Sequence, residues 1–267
     1  MLKIWGWIGL IFLIIGHITL FAKAQPFIFI VFPLLWFGYI LFIDSLVYKI
    51  KKKSPLANHP RILLGMFLLS IFVWKLFEIF NLRLNNWHYI NLEYFGAYQE
   101  LFAWISFSTV IPAFFETLEL GKALFKYEEK HKQKRKLNNT TLNLILFLGI
   151  ICLILPMILP KYFFPLIWLS LFLIFDPINY KNNQPSLIMQ WENKHYKLFL
   201  ILLITALILG FLWEFWNYFS IVKWIYTIPF VSFWKIFEMP ILGYLGYIPF
   251  VWEVYAVWYF ARSFFQK

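Results

Sequence analysis

Residues 198–217 read LFLILLITALILGFLWEFWN. As far as Trp213 the run carries no charge, and Thr205 is its one polar side chain. About 20 such residues cross ~30 Å of hydrocarbon as an α-helix. At the end of the run a single carboxylate, Glu214, stands between Trp213 and Trp216. Acidic groups in a span are costly and rare, which makes them functional candidates by default.

Read outward from this stretch, the chain contains eight such runs: Ile4–Phe21, Phe27–Tyr48, Ile62–Phe80, Gln99–Leu120, Leu142–Leu159, Tyr162–Ile178, Leu198–Trp216 and Ile236–Ala261. They are continuously apolar, without the alternation of barrel strands, so the expectation is an all-α integral membrane protein of about eight transmembrane helices. The composition agrees. Of 267 residues 62% are hydrophobic, 23% aromatic and 14% charged, with a mean hydropathy of +0.70. An average soluble domain has about 25% charged residues. A water-soluble enzyme and a disordered chain are excluded.

The net charge of +11 does not point to nucleic acid. Lys and Arg collect in cytoplasmic loops, where anionic lipid headgroups are their partners. One side of the predicted topology holds 18 of them: Lys3, Lys49, Lys51, Lys52, Lys53, Arg61, Lys122, Lys126, Lys130, Lys132, Lys134, Arg135, Lys136, Lys181, Lys194, Lys197, Arg262 and Lys267. The other side holds 5, namely Lys23, Arg83, Lys161, Lys223 and Lys235, and Lys75 falls inside a span. Both termini are therefore expected in the cytoplasm, with the plasma (inner) membrane as the host. The first span resembles a signal peptide in having Lys3 before it and Ala22-Lys23-Ala24 after it. Trp5, Trp7 and His17 within it, and the repeat below, favour a retained span. The single cysteine, Cys152, lies in an apolar run and reads as a small filler.

The sequence repeats itself. Phe32-Pro33-Leu34-Leu35-Trp36 returns as Phe164-Pro165-Leu166-Ile167-Trp168, and the same register carries Asp44 onto Asp176 and Tyr48 onto Tyr180. Phe77-Glu78-Ile79-Phe80-Asn81 matches Trp213-Glu214-Phe215-Trp216-Asn217. Trp87-His88-Tyr89 matches Trp224-Ile225-Tyr226, Pro112 falls on Pro249, and Glu116 falls on Glu253. Glu100 and Glu238 miss by one position. The expected organisation is a first four-helix repeat over 1–121, a basic cytoplasmic linker over 122–141 and a second four-helix repeat over 142–267. Each repeat has an even number of spans, so the two are parallel and related by an axis along the membrane normal.

The carboxylates fall into two layers. Glu78, Glu100, Glu214 and Glu238 lie at the outer ends, beside loops holding Trp87, Tyr89, Trp224 and Tyr226. These four are the candidate proton donors, since burial keeps a carboxyl protonated. With Trp213 and Trp216, the loop aromatics are candidate substrate contacts whose faces shelter a cation. Asp44, Asp176, Glu116 and Glu253 lie toward the cytoplasmic ends and are secondary candidates. The two aspartates are expected to reach the headgroups. For the two glutamates, one turn after Pro112 and Pro249, two readings stand side by side, a functional one and one in which they serve backbone groups freed by a kink. No Asp-rich pair for magnesium diphosphate, multi-histidine centre, glycine-rich nucleotide loop or Ser-His-Asp set occurs, and no metal site is expected.

The pattern Trp213-Glu214, Trp224-Ile225-Tyr226, Glu238-Met239-Pro240, with Phe77-Glu78, Trp87-His88-Tyr89 and Glu100 in the first half, resembles the lycopene cyclase domain family of small membrane carotenoid cyclases. The resemblance covers roughly Pro33–Glu116 and Pro165–Glu253. Glu78 and Glu214 stand where that family usually has Asp. The resemblance implies a cyclase or isomerase acting on a terpenoid or other lipid by carboxylic-acid protonation, with no cofactor. The alternative reading is a proton-coupled or lipid carrier, because parallel repeats with paired intramembrane carboxylates also describe transporters.

Overall fold

The computed structural model describes residues 1–128 and 137–265. Residues 129–136 lie outside the described residues, and with them Lys130, Lys132, Lys134, Arg135 and Lys136 of the basic linker; so does Lys267. Eight segments among the described residues are long and apolar enough to cross a membrane, and the protein is an all-α integral membrane protein. The helices are α1 (Ile4–Ala22), α2 (Val31–Lys51), α3 (Pro60–Leu84), α4 (Val110–Leu124), α5 (Asn139–Ile158), α6 (Ile167–Lys181), α7 (Tyr196–Phe219) and α8 (Tyr247–Arg262). Local chemistry sets their ends. Pro60 opens α3, where its missing N–H costs nothing, and Asn85 closes it in the left-handed conformation. The side chain of Asn138 caps α5 by accepting from the Thr141 amide at 2.8 Å.

The neighbours recur in the two halves. α1 packs on α2 as α5 packs on α6; α2 packs on α4 as α6 packs on α8; α3 packs on α4 as α7 packs on α8. The first of these contacts is backbone-close in both halves. A Cβ on Gly9 would lie 2.6 Å from the Gly38 carbonyl oxygen, and one on Gly149 would lie 2.8 Å from the Ile174 nitrogen. Small residues let helices approach this closely in lipid, where packing rather than water expulsion holds them together.

Contacts between the halves are reciprocal. Trp36 of α2 meets Trp213 of α7 with ring centroids 5.1 Å apart, while Trp168 of α6 stacks on Phe77 of α3 at 4.9 Å. In the sequence register Trp36 corresponds to Trp168 and Trp213 to Phe77. The strands β1 (Trp87–Ile90) and β2 (Lys223–Tyr226) pair antiparallel, with Trp87 opposite Tyr226 and Tyr89 opposite Trp224.

Several expectations need correction. The span read as Gln99–Leu120 is broken at Ser108 and Thr109, between a short helix Gln99–Phe107 and α4. Pro112 causes the break, having no N–H to give and crowding the carbonyl four residues back. Ser70 of α3 repairs it: its hydroxyl donates to the Phe107 carbonyl at 2.5 Å and accepts from the Ile111 amide at 3.1 Å. Glu116 does not serve the kink; neither of its carboxylate oxygens has a hydrogen-bond partner among the described residues. Glu253 does not serve its own helix either. It reaches across to α6 and accepts from the Leu171 amide at 2.9 Å.

The last span, expected from Ile236, becomes α-helical only at Tyr247. Lys235–Ile236 pairs instead with Met239–Pro240, and a 3-10 turn covers Ile241–Gly246. Pro240, Gly243 and Gly246 would fall within the first three turns of a helix begun at Ile236, and proline and glycine disfavour a helix interior.

Asp44 and Asp176 do not reach toward headgroups: both are fully buried. Asp176 accepts from the Ser186 hydroxyl and from the Leu187 and Ile188 amides, each at 2.8 Å. Asp44 accepts from the Ser54 hydroxyl, the Leu56 amide and the Trp5 indole, also at 2.8 Å. These carboxylates tie down the start of the short helices Pro55–Asn58 and Leu187–Glu192 by satisfying amides that a helix leaves open at its first turn.

Candidate active site

The strand pair β1–β2 connects the ends of α3 and α7 and fixes the site. At each end one asparagine holds the strand. Asn81 donates to the Trp87 carbonyl at 2.7 Å and accepts from the Asn86 amide at 2.9 Å. Asn217 donates to the Trp224 carbonyl and accepts from the Trp224 amide, both at 2.9 Å. Strand alternation then directs Trp87 and Tyr89, and Trp224 and Tyr226, to a common side.

On that side lie the two glutamates. Glu78 Oε1 accepts from Tyr89 Oη at 2.6 Å, Trp74 Nε1 at 3.0 Å and Trp87 Nε1 at 3.2 Å. Glu214 Oε1 accepts from Tyr247 Oη at 2.6 Å and Tyr226 Oη at 2.8 Å, and Tyr226 Oη in turn accepts from Trp224 Nε1 at 2.8 Å. Glu78 and Glu214 thus occupy matching settings, each held by the tyrosine of its own Trp-x-Tyr strand. Burial pushes the Tyr89 and Tyr226 phenols well above their usual range, and the neighbouring Glu78 and Glu214 add to this. Both phenols are firm donors.

A cavity of about 830 Å³ runs between the halves along these strands. It is lined mainly by aromatic and aliphatic side chains. Trp74, Trp87 and Tyr89 face it from the first half; Trp213, Trp224 and Tyr226 face it from the second. The halves are not equivalent toward it. Glu78 lines the cavity, and among the described residues no protein group bonds its Oε2. Glu214 is fully buried behind Tyr226 and Tyr247, with Oε2 unpartnered among the described residues.

The remaining candidates are set differently. Glu238 is held by Lys223 at 2.6 Å, and Glu100 by Lys75 at 2.6 Å. Each is ion-paired with a lysine, and this sets these two apart from Glu78 and Glu214, which are held by tyrosine hydroxyls. Trp216, a candidate substrate contact by its sequence position, is buried in the core instead. It gives its indole N–H to His17 Nε2 of α1 at 3.2 Å and packs edge-on against Trp36. Tyr247, Trp74 and Trp168 also line the site and escape the sequence reading; Trp74 lies one turn before Glu78, a spacing that puts both on one helix face. Glu116, Glu253, Asp44 and Asp176 do not line the cavity. Among the described residues no three His, Cys, Asp or Glu side chains gather to hold a metal.

Compared with known family models, characterised proteins and solved structures, the chain finds no match.

Proposed function

We propose that this protein is an intramembrane cyclase or isomerase acting on a terpenoid or other lipid, of the kind its motifs resemble, with Glu78 as the proton donor. The observation that carries the reading is the setting of Glu78. It is a carboxyl on the wall of an aromatic cavity, fixed through Oε1 by three donors and with Oε2 open. In the reaction, Glu78 gives its proton to one carbon of a double bond. A C–H bond forms and the other carbon becomes cationic. A second double bond closes on that cation, or it rearranges. Loss of a proton from a neighbouring carbon to the Glu78 carboxylate then restores both the alkene and the acid. The faces of Trp74, Trp87 and Trp213 shelter the cation. Access from the bilayer fits the rim, where Ile79, Leu82, Leu242 and Leu245 line the cavity and are also exposed. The matching settings of the two glutamates support an origin by duplication of a four-helix unit.

The test is turnover of candidate terpenoid lipids by the protein in bilayers made up in D2O. The wild type should place deuterium in the product. Glu78→Gln should fold and lose turnover by about a hundredfold or more, as for a general acid. Full activity in folded Glu78→Gln would remove Glu78 as the donor.

The same proposal sets both termini and the linker in the cytoplasm, on the strength of the 18-to-5 distribution of basic residues. A cysteine at Lys53, in a Cys152→Ser background, should resist labelling from outside intact cells, and one at Asn91 should react.

A further inference from the structure

Lys75 and Glu100 are left unused by the reaction above. Lys75 lies nine residues before the end of α3 at Leu84. At 1.5 Å per residue this is about 14 Å of rise from the helix end, inside the stretch Pro60–Leu84 that is long and apolar enough to span the membrane. Glu100 opens the short helix Gln99–Phe107, and its carboxylate meets Lys75 Nζ at 2.6 Å. A charge at this depth belongs in a cavity and not against lipid. Both residues, with Gln99, line the cavity.

The pair is only partly satisfied. Glu100 Oε2 accepts from Lys75 and, at 3.2 Å, from Trp104 Nε1. Oε1 accepts no hydrogen bond among the described residues, and the Glu100 side chain is 75% exposed. An ammonium carries three N–H donors; among the described residues Lys75 uses one as a hydrogen bond, and its Nζ also lies 5.7 Å from the centre of the Phe107 ring. The cavity therefore offers one anionic acceptor and cationic donors side by side. A pure hydrocarbon leaves both without a partner. A phosphate gains the lysine but meets the carboxylate. A hydroxyl fits both, donating to Glu100 Oε1 and accepting from Lys75.

We infer that the ion pair Lys75–Glu100 is the recognition site for a hydroxyl group, so that the ligand of the cavity is a lipid alcohol and not a bare hydrocarbon. This deepens the proposed function and rests on it for the use of the cavity. Lys75 and Glu78 are three residues apart on α3, one turn and therefore one face. The hydroxyl is then held by a lysine whose backbone position is one turn of helix, about 5 Å of rise, from that of the proton donor. The double bond acted on lies a few carbons from the hydroxyl.

The probes are geranylgeraniol, the hydrocarbon of the same chain without the hydroxyl, and geranylgeranyl phosphate. Binding to the full chain in lipid nanodiscs is read by quenching of tryptophan fluorescence, since Trp74, Trp87 and Trp168 line the cavity. The alcohol should bind at least tenfold more tightly than the hydrocarbon. In the double variant Lys75→Met, Glu100→Gln, which leaves no unpaired charge, that preference should vanish while hydrocarbon binding persists and reports an intact cavity. Glu78→Gln should keep the preference. Equal binding of alcohol and hydrocarbon by the wild type would overturn the inference and leave the cyclase reading standing. Tighter binding of the phosphate than of the alcohol would overturn it in favour of an anionic headgroup. Binding of none of the three would overturn both the inference and the use of the cavity.

Discussion

Three substitutions around Glu78 separate its role as an acceptor from its role as an acid. Three donors converge on Oε1: the Tyr89 hydroxyl and the Trp74 and Trp87 indoles. Glu78→Gln keeps an amide oxygen in place of Oε1, so all three bonds survive and stability should change by less than about 1 kcal/mol. Tyr89→Phe deletes a donor and leaves the acceptor with two partners, at a cost of about 0.5–1.5 kcal/mol. Glu78→Leu removes the acceptor and strands three donors. Each stranded buried donor costs about 1–3 kcal/mol. The cavity gives water some access to them, so the low end applies and the sum is about 3 kcal/mol. The loss should rise from Glu78→Gln through Tyr89→Phe to Glu78→Leu, the last by a clear margin. Thermal unfolding in one detergent, followed by near-ultraviolet circular dichroism, reads it directly because the groups involved are tryptophans and a tyrosine. Glu78→Leu with the stability of Glu78→Gln would show that the donors are not committed to Glu78, and the geometry assigned to the site would be wrong.

Asp176→Ala strands the Ser186 hydroxyl and two amides in a fully buried place and should destabilise by about 3 kcal/mol or more, whereas an exposed carboxylate at a headgroup would cost almost nothing; the denaturation midpoint tells them apart. Gly149→Val pushes a branched side chain into the backbone of α6 and should cost about 1–3 kcal/mol, visible as a lowered unfolding temperature, while Gly65→Ala, whose Cβ meets nothing nearer than 4.0 Å, should be silent. Because the Tyr89 and Tyr226 phenols are pushed up, they stay protonated when ordinary tyrosines ionise near pH 10. Tyr89→Phe and Tyr226→Phe should therefore leave the tyrosinate absorbance gained up to that pH unchanged, and a drop would refute the placement.

The spans are readable because hydropathy sums over a whole helix and tolerates local error. The pairing of Glu78 with Tyr89 and of Glu214 with Tyr226 is foreshadowed by the recurrence of glutamate, asparagine and Trp-x-Tyr in one order. The break before Pro112 is visible as a proline, but not its repair by Ser70, a residue 37 positions from Phe107. The capping role of Asp44 and Asp176 does leave a signal in the sequence: a serine stands ten residues after each, Ser54 and Ser186, in the repeat register. Trp216 is misplaced by sequence reasoning because it sits one turn from Trp213 while facing α1, a helix outside the most strongly repeated stretch. The lysine partner of Glu100 is hidden because the contact bridges separate elements.

The pairing of β1 with β2 makes the site a late product of synthesis. The first strand emerges with Trp87, but its partner begins only at Lys223, after seven spans have been made. Until then Glu78 stands at the edge of an unfinished bundle, and its tyrosine is on a strand with nothing beside it. A chain halted after the linker would hold the Glu78 carboxyl beside an unfinished cavity, without the wall that Trp213, Trp224 and Tyr226 supply. The two halves are also bound to each other's history. A substitution that shifts one strand shifts the tyrosine of the other, so the open Glu78 and the sealed Glu214 could diverge in role only while the strands that carry their tyrosines stayed in register.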